Sequence, residues 1–151
     1  MRLFLDASVL FSAALSERGG AFRIMELGYD GQVELVVSEL VLEEARRNLA
    51  AKAPQALPAF ETFVLAAPFA VVEATRAQVV AMARHTVLKD APVVAAAKRA
   101  RTKCLVSLDR KHLVGNKALE EAAGFPILTP GDALAQLRGS MSRHADEEEG
   151  R

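Results

Sequence analysis

The sequence predicts an α/β fold: a three-layer α/β/α sandwich with a mostly parallel central sheet of about five strands. Two observations lead to this prediction. Short apolar runs recur along the 151 residues, and longer alanine- and arginine-rich stretches of helical composition separate them. Strands that alternate with helices are typical of parallel βαβ units. Because 51% of the residues are hydrophobic, the chain can form one domain around a single core.

Five apolar runs are the candidate strands. In chain order they are Leu3–Leu5, Val33–Val37, Phe69–Val72, Cys104–Ser107 and Pro126–Leu128. Each has the length and composition of a short buried strand.

The helices between these strands begin at recognisable residues. The predicted starts are Ser38 as the N-cap of a helix over residues 39–51, Pro54 and Pro58, Asp90 with Pro92 in the first turn, and Thr129 with Pro130 for a short last helix to about Arg138. After Gly139 the composition changes, because residues 140–151 include a run of acids and almost no apolar side chain. We therefore predict one domain over residues 1–139 and an acidic, disordered tail over residues 140–151.

Charge and cysteine content exclude several classes of protein. The 19 basic and 19 acidic residues cancel, which argues against a protein that holds nucleic acid through its overall field alone. A single cysteine, Cys104, excludes an internal disulfide and a cysteine-rich zinc site. We expect a cytoplasmic protein without a signal peptide and without a membrane span, since no apolar run reaches roughly 18 residues.

Three aspartates are predicted to meet at one edge of the sheet. Asp6 and Asp109 follow the first and fourth strands, and Asp90 opens the helix that leads into the fourth. In a parallel sheet, the carboxyl ends of the strands and the N-termini of the returning helices share an edge, where binding sites form. Each aspartate alone could be only a helix N-cap, so the combination of three is what indicates a site.

A glutamate on the helix over residues 39–51 can join them. On a helical wheel the apolar stripe of this helix consists of Val41, Leu42, Ala45 and Leu49. Glu44 lies beside that stripe and can point along the surface toward a cleft, whereas Glu43 lies nearly opposite and should face water. The register favours Glu44 and leaves Glu43 as the alternative.

Carboxylates that converge without paired cations repel one another. A hard divalent cation relieves this repulsion, and Mg²⁺ or Mn²⁺ prefers oxygen ligands together with several retained waters. The sequence therefore predicts a Mg²⁺ or Mn²⁺ site formed by Asp6, Glu44, Asp90 and Asp109. The three histidines are far apart in the sequence and lack metal-ligand spacing.

Basic residues are concentrated around two of these acids. Residues 84–117 include nine basic and two acidic residues, so this segment could steer a polyanion to the carboxylates. The predicted phosphate contacts are Lys89, Arg110 and Lys111, which adjoin the candidate aspartates. The other cations of the segment include Lys98, Arg99 and Arg101, which fit a helix C-terminus, where they interact with water and with the helix dipole.

Four segments in this order resemble the motifs of the PIN-domain family of ribonucleases, which includes VapC-like toxins. The segments are Leu5–Leu10, Ser38–Ala45, Lys89–Ala97 and Leu105–Leu113, and they contain Asp6, Glu44, Asp90 and Asp109 respectively. The resemblance covers about residues 1–138. The chain departs from some members just after the fourth motif, where Arg110, Lys111 and His112 stand in place of a further acid; this departure weakens a second metal position.

The resemblance implies a PIN-like fold and a Mg²⁺- or Mn²⁺-dependent endoribonuclease. Its catalytic and metal-binding residues would be Asp6, Glu44, Asp90 and Asp109, with supporting hydroxyl groups from Ser8 and Ser107. Metal-activated water would attack the RNA phosphodiester in line, without a covalent intermediate. The implied partners are the RNA substrate, an antitoxin protein if the chain is the toxin of a type II toxin–antitoxin pair, and a second copy of the chain in a homodimer.

Two other functions are compatible with the same motifs. One is a catalytically inert PIN-like binding module that acts through a protein partner, and the other is a housekeeping RNA-processing nuclease without an antitoxin. A receiver domain is disfavoured, because it needs adjacent acids after the first strand and Asp6 stands alone. A haloacid-dehalogenase-like phosphatase is disfavoured as well, because Asp6-Ala7-Ser8 lacks the second acid of its Asp-x-Asp motif.

Overall fold

The computed structural model describes residues 1–150, and its sheet has five strands that are all parallel. The strands are β1 (Arg2–Leu5), β2 (Glu34–Val37), β3 (Ala70–Val71), β4 (Cys104–Val106) and β5 (Ile127–Leu128). Their spatial order is β3-β2-β1-β4-β5. The structure therefore confirms the predicted α/β fold and all five candidate strands, whose ends differ from the prediction by no more than one residue.

The central strand β1 lies between β2 and β4. Phe4 pairs with Val36 on one side and with Leu105 on the other, and all three residues are fully buried. A strand covered on both faces needs apolar residues at consecutive positions, as these short runs provide. Because Asp6 N donates to Val106 O at 3.0 Å, the carboxyl ends of β1 and β4 lie side by side.

Eight α-helices cover the two faces of the sheet in residues 1–150. They are α1 (Ala7–Leu15), α2 (Gly20–Tyr29), α3 (Glu39–Lys52), α4 (Leu57–Ala66), α5 (Arg76–Met82), α6 (Ala91–Arg99), α7 (Lys117–Ala123) and α8 (Pro130–Glu149), with a 3₁₀ turn at Pro54–Ala56. Helices α1 to α4 pack on one another and α8 packs on α2, whereas α6 packs against α5 and α7. Right-handed crossovers between parallel strands place these two groups on opposite faces, which produces the three predicted layers.

Hydroxyl side chains set two predicted helix starts. Ser38 Oγ accepts a hydrogen bond from Val41 N at 3.1 Å, and Thr129 Oγ1 accepts one from Asp132 N at 3.2 Å. Both residues therefore act as N-caps, as predicted.

Cys104 lies in β4 at 3% exposure, and burial raises the pKa of its thiol to about 12. The thiol thus stays protonated at neutral pH and belongs to the core.

The last helix is longer than the sequence predicted. Instead of ending near Arg138 and giving way to disorder at residue 140, α8 continues to Glu149. Residues 140–149 contain no glycine or proline that would stop the helix and several good helix formers. Residues 141–150 are all exposed. The division between a domain ending at residue 139 and a tail stays a prediction, and Arg151 lies outside the described residues. No helix within residues 1–150 is both long and apolar enough to cross a membrane.

Candidate active site

The four acids that the sequence singled out line one cavity of about 470 Å³ at the carboxyl edge of the sheet. Asp6 directly follows β1, and Asp109 lies in the loop after β4. Glu44 projects from α3, and Asp90 immediately precedes α6. Four segments that are remote in the sequence thus contribute one carboxylate each, which is the arrangement expected from a parallel sheet.

Hydrogen bonds on both carboxylate oxygens hold Asp6 in one orientation. Its Oδ1 accepts from Ala7 N at 2.8 Å, and its Oδ2 accepts from Ser8 Oγ at 3.0 Å and from Ser107 Oγ at 2.8 Å. An N-cap would typically accept from the second or third helical residue, whereas Asp6 accepts from the first. The two serine hydroxyls therefore orient the Asp6 carboxylate, whose contact with α1 is not the usual N-cap bond.

The same two hydroxyls connect the end of β1 to the loop after β4. Ser107, which is 0% exposed, accepts a hydrogen bond from Asp109 N at 3.1 Å. Ser8 Oγ accepts one from Leu108 N at 3.1 Å. Ser8 accepts its bond from across the cavity, and Ser107 donates its bond across the cavity to Asp6. These two crossing hydrogen bonds hold the two sides of the cavity at a fixed spacing.

Asp109 is oriented by the turn that follows it. Its Oδ1 accepts hydrogen bonds from Lys111 N at 3.0 Å and from His112 N at 3.1 Å. Its second oxygen, Oδ2, takes no part in these bonds. Asp109 thus caps a turn, not a helix as the alternative interpretation expected, and it also lines the cavity with the other three acids.

Asp90 is the least satisfied of the four acids. It occupies the N-cap position of α6, but its side chain makes no capping hydrogen bond. Its Oδ2 is buried and has no hydrogen-bond partner among the described residues. Burial raises the pKa of Asp90, and the charges of Asp109 and Asp6 raise it further, whereas Lys89 and His112 lower it. A buried carboxylate oxygen without a partner indicates a place for a cation or an ordered water.

Glu44 lines the cavity and Glu43 does not. The predicted apolar stripe of α3 is buried, since the buried residues of this helix are Val41, Leu42, Ala45 and Leu49. This orientation turns Glu44 toward the acids. Its partial burial raises the pKa of Glu44, and the negative charges of Asp6 and Asp90 add to the effect while Lys89 opposes it.

Three further polar residues of the lining were not predicted from the sequence. Asn48 and Lys52 lie one and two turns after Glu44 on α3, and Ser12 lies one turn after Ser8 on α1. Residues four positions apart share a helix face, so this spacing could have revealed them.

The predicted phosphate contacts separate into two groups. Lys89 lines the cavity, whereas Arg110 and Lys111 are exposed outside its lining.

The donor set suits a hydrated hard cation. Four carboxylates and only two ammonium groups, from Lys52 and Lys89, line the cavity, and oxygen donors are the ligands of Mg²⁺ and Mn²⁺. Within residues 1–150, however, no three Asp, Glu, His or Cys side chains are grouped so that they could hold one ion together. The acids therefore do not form a closed cage. They fit an ion that is bound by one or two carboxylates and keeps several waters.

Several solved structures are similar in fold to this chain. PAE2754 from Pyrobaculum aerophilum is 18% identical, with a TM-score of 0.63 over 92% of this chain and 90% of that chain. VapBC2 from Rickettsia felis, bound to a DNA fragment from their promoter, is 13% identical, with a TM-score of 0.58 over 84% and 97%. VapC20 from Mycobacterium tuberculosis, a sarcin-ricin loop cleaving toxin, is 20% identical, with a TM-score of 0.55 over 82% and 95%. The sequence matches none of the curated proteins with which it was compared.

A family model for the PIN domain matches residues 2–111. The matched segment runs from the first strand to the turn after the fourth and includes all four cavity acids. The fold of this chain, with its five-stranded parallel sheet, is similar to that of the solved structures named above. The chain belongs to the PIN-domain family.

Proposed function

We propose that this protein is a metal-dependent endoribonuclease that hydrolyses RNA phosphodiester bonds. The observation that carries the proposal is the convergence of Asp6, Glu44, Asp90 and Asp109 on one cavity, where Asp90 Oδ2 is buried without a partner. Family membership supports the same chemistry. A cavity lined by four acids repels a polyanion such as RNA. RNA can therefore approach these carboxylates only when a divalent cation is bound among them.

The bound Mg²⁺ or Mn²⁺ would lower the pKa of water and neutralise charge that develops on the phosphate. Asp90 would hold it through the unpartnered Oδ2, with Asp6 or Asp109 as a second ligand, directly or through water. Ser8 and Ser107 keep the Asp6 carboxylate in place during the reaction.

The remaining cavity residues would act on water and on the phosphate. Glu44, whose pKa is raised, would orient the attacking water and accept its proton. Lys89 would contact a phosphate oxygen, with Arg110 and Lys111 as outer contacts. Attack in line with the leaving oxygen yields a 5′-phosphate and a 3′-hydroxyl.

We further propose that the protein is the toxin of a type II toxin–antitoxin pair. Two of the structurally similar proteins are a sarcin-ricin loop cleaving toxin and a VapBC2 assembly. The antitoxin would be a small protein that covers the acidic cavity, and the toxin would pair with a second copy of itself. The catalytic proposal is the same for an RNA-processing nuclease without an antitoxin. Growth arrest on expression, relieved by the product of a neighbouring gene, supports the toxin.

The second candidate is a catalytically inert module that acts through a protein partner. The observation that favours it is the lack of a ready three-ligand cluster in the described residues. Binding of Mn²⁺ to the purified protein separates the two candidates, since an inert module has no need to retain the ion.

The decisive experiment measures RNA cleavage by purified protein with Mg²⁺ or Mn²⁺ and with a chelator. We expect cleavage only with metal, and a loss of about 100-fold or more in Asp6→Asn. Asp30→Asn is the matched control, because Asp30 is exposed at the end of α2 and outside the cavity. Cleavage that continues in chelator, or a fully active Asp6→Asn protein, contradicts the proposal.

A further inference from the structure

A second cavity, of about 510 Å³, lies between α5, α6 and α7. Its lining includes the cationic side chains of Lys98, Arg99 and Arg101 together with His85, and it includes no acid. From the sequence alone, these three cations were expected at a helix C-terminus, in contact with water and the helix dipole. The structure places Lys98 and Arg99 in the last turn of α6, as predicted, and also gathers all three cations around one concave surface.

Two of these cations are fixed in position but not neutralised. Lys98 Nζ donates to Ala122 O at 3.1 Å, and an Arg99 guanidinium nitrogen donates to Glu73 O at 2.5 Å. Both acceptors are uncharged backbone carbonyls. Among residues 1–150, no ion pair involves Lys98, Arg99 or Arg101. The cavity therefore carries a concentrated positive charge whose counter-ion must come from a ligand or from the solvent.

Arg101 occupies a backbone position that usually belongs to glycine. Its φ is +56°, and it is the one non-glycine residue with positive φ in the described chain. Arg101 N donates to Lys98 O at 3.1 Å and Thr102 N to Ala97 O at 3.4 Å, which is the hydrogen-bond pattern of a Schellman motif at the end of α6. A left-handed conformation is unfavourable for a residue with a Cβ atom. Arg101 therefore holds its cationic side chain here at a cost in backbone conformational energy. Such strain is concentrated at functional sites.

We propose that this basic cavity binds the phosphodiester backbone of the RNA strand that flanks the cleavage point. The inference rests on the proposed function. Helix α6 connects the two cavities, with Asp90 before its first residue and the cations at its last turn; nine residues of helix span about 13 Å. A strand anchored at the basic end is held beside the acidic cavity, which repels RNA on its own. Because no aromatic side chain other than the His85 imidazole lines the basic cavity, we expect recognition of phosphates rather than of bases.

The test uses Arg101→Gly and Lys98→Gln in the full-length protein. Glycine suits the left-handed position, so Arg101→Gly should melt at the same temperature as the wild type or higher. Its dissociation constant for an RNA strand that extends beyond the acidic cavity, measured in chelator, should rise roughly three- to fivefold. The negative slope of the logarithm of the association constant against the logarithm of the salt concentration should become less steep by about 0.7 for each phosphate that the variant no longer neutralises. Lys98→Gln should likewise raise the dissociation constant for RNA and make the salt dependence less steep.

Arg138→Gln is the matched control, since Arg138 is an exposed cation on α8, on the other face of the sheet. It should change neither affinity nor slope. A short oligonucleotide that covers only the acidic cavity should be cleaved equally well by the wild type and by Arg101→Gly, whereas the KM of the long strand should rise in the variant.

Two results would overturn the inference while leaving the nuclease intact. One is an unchanged KM for the long strand in both variants, with wild-type cleavage present. The other is Arg101-dependent binding of inorganic phosphate alone that RNA does not compete with, which would indicate a site for a free anion. A wild-type protein that neither binds nor cleaves RNA contradicts the proposed function itself.

Discussion

At the scale of single residues, Ser107 has the most consequential position in the site. Its side chain is fully buried, donates to Asp6 Oδ2 and accepts from Asp109 N. It therefore fixes the relation between two acids that arrive from different strands. An ionised carboxylate only accepts hydrogen bonds, whereas the Ser107 hydroxyl donates one to Asp6 and accepts one from Asp109 N.

We predict that Ser107→Ala lowers both stability and activity. The variant leaves the Asp109 N–H without its partner and removes one donor from Asp6, which should cost about 1–3 kcal/mol of unfolding free energy. A misoriented Asp6 should lower kcat/KM by about 10- to 100-fold. Denaturant unfolding and RNA cleavage check the two effects. Ser12→Ala is the control, because Ser12 lines the same cavity but is not part of these hydrogen bonds. Equal effects of both variants would contradict the assigned role of Ser107.

Asp90→Asn should make the metal-free protein more stable at neutral pH. Burial and neighbouring acids raise the pKa of Asp90 in the folded state, so the ionised carboxyl costs stability once the pH exceeds its ordinary unfolded pKa of about 3.9. The folded protein binds the Asp90 proton more tightly than the unfolded chain does. The unfolding free energy therefore falls as the pH rises from the unfolded pKa of Asp90 to its raised pKa in the folded state. Since Asp90 is only partly buried, we expect a gain of less than about 1 kcal/mol.

Thermal melts of wild type and Asp90→Asn at several pH values test this. The difference should be present at pH 7, should disappear toward pH 3, and should be reversed by saturating Mn²⁺, which stabilises only the wild type. A variant that is less stable than the wild type in chelator at pH 7 would show that Asp90 is a structural cap instead.

At the scale of secondary-structure elements, the close contact between α2 and β2 depends on Gly28. A Cβ atom at this position would overlap the buried side chain of Leu35, with Leu35 Cγ at 2.6 Å. We predict that Gly28→Ala destabilises the protein by about 1–3 kcal/mol, because α2 must move away from the sheet. Gly139→Ala is the matched control: Gly139 lies within α8 with nothing near its Cβ position. It should stabilise by about 0.5–1 kcal/mol. Chemical denaturation measures both, and a neutral Gly28→Ala would show that the two elements are less tightly packed.

The strands were easier to predict from the sequence than the helices. A parallel strand that is buried on both faces reads as a run of consecutive apolar residues, so all five runs corresponded to strands. Helices α2, α5 and α7 were not located individually. Signals exist for two of them: Thr75 and Gln78 form a capping box before α5, and Asn116 caps α7. The predicted end of α8 was wrong because charge was taken as a sign of disorder, whereas residues 140–149 also contain the good helix formers Met, Arg, Ala and Glu.

At the scale of the whole molecule, topology determined what the sequence could reveal of the site. Asp6, Asp90 and Asp109 were predictable as neighbours because a parallel sheet places strand ends and helix starts on one edge. The unpartnered oxygen of Asp90 and the link through Ser107 were not, since both depend on side-chain packing between distant segments. The basic cavity was missed for the same reason: its cations were visible in the sequence, but their arrangement around a hollow depends on how α5, α6 and α7 pack.

The C-terminal half of α8 extends into solvent. Leu137 is the last buried residue of this helix, and residues 141–150 are all exposed, so the extension buries little apolar surface. Removal of residues 140–151 should therefore change the unfolding free energy by no more than about 0.5 kcal/mol and leave RNA cleavage intact. Truncation after Asp132 removes the buried Ala133 and Leu137, and it should cost several kcal/mol by exposing the core beneath α8. Thermal unfolding and cleavage assays of both truncations check this. If the shorter deletion alone destabilised the domain, residues 140–151 would belong to the folded body, and the predicted boundary at residue 139 would be wrong.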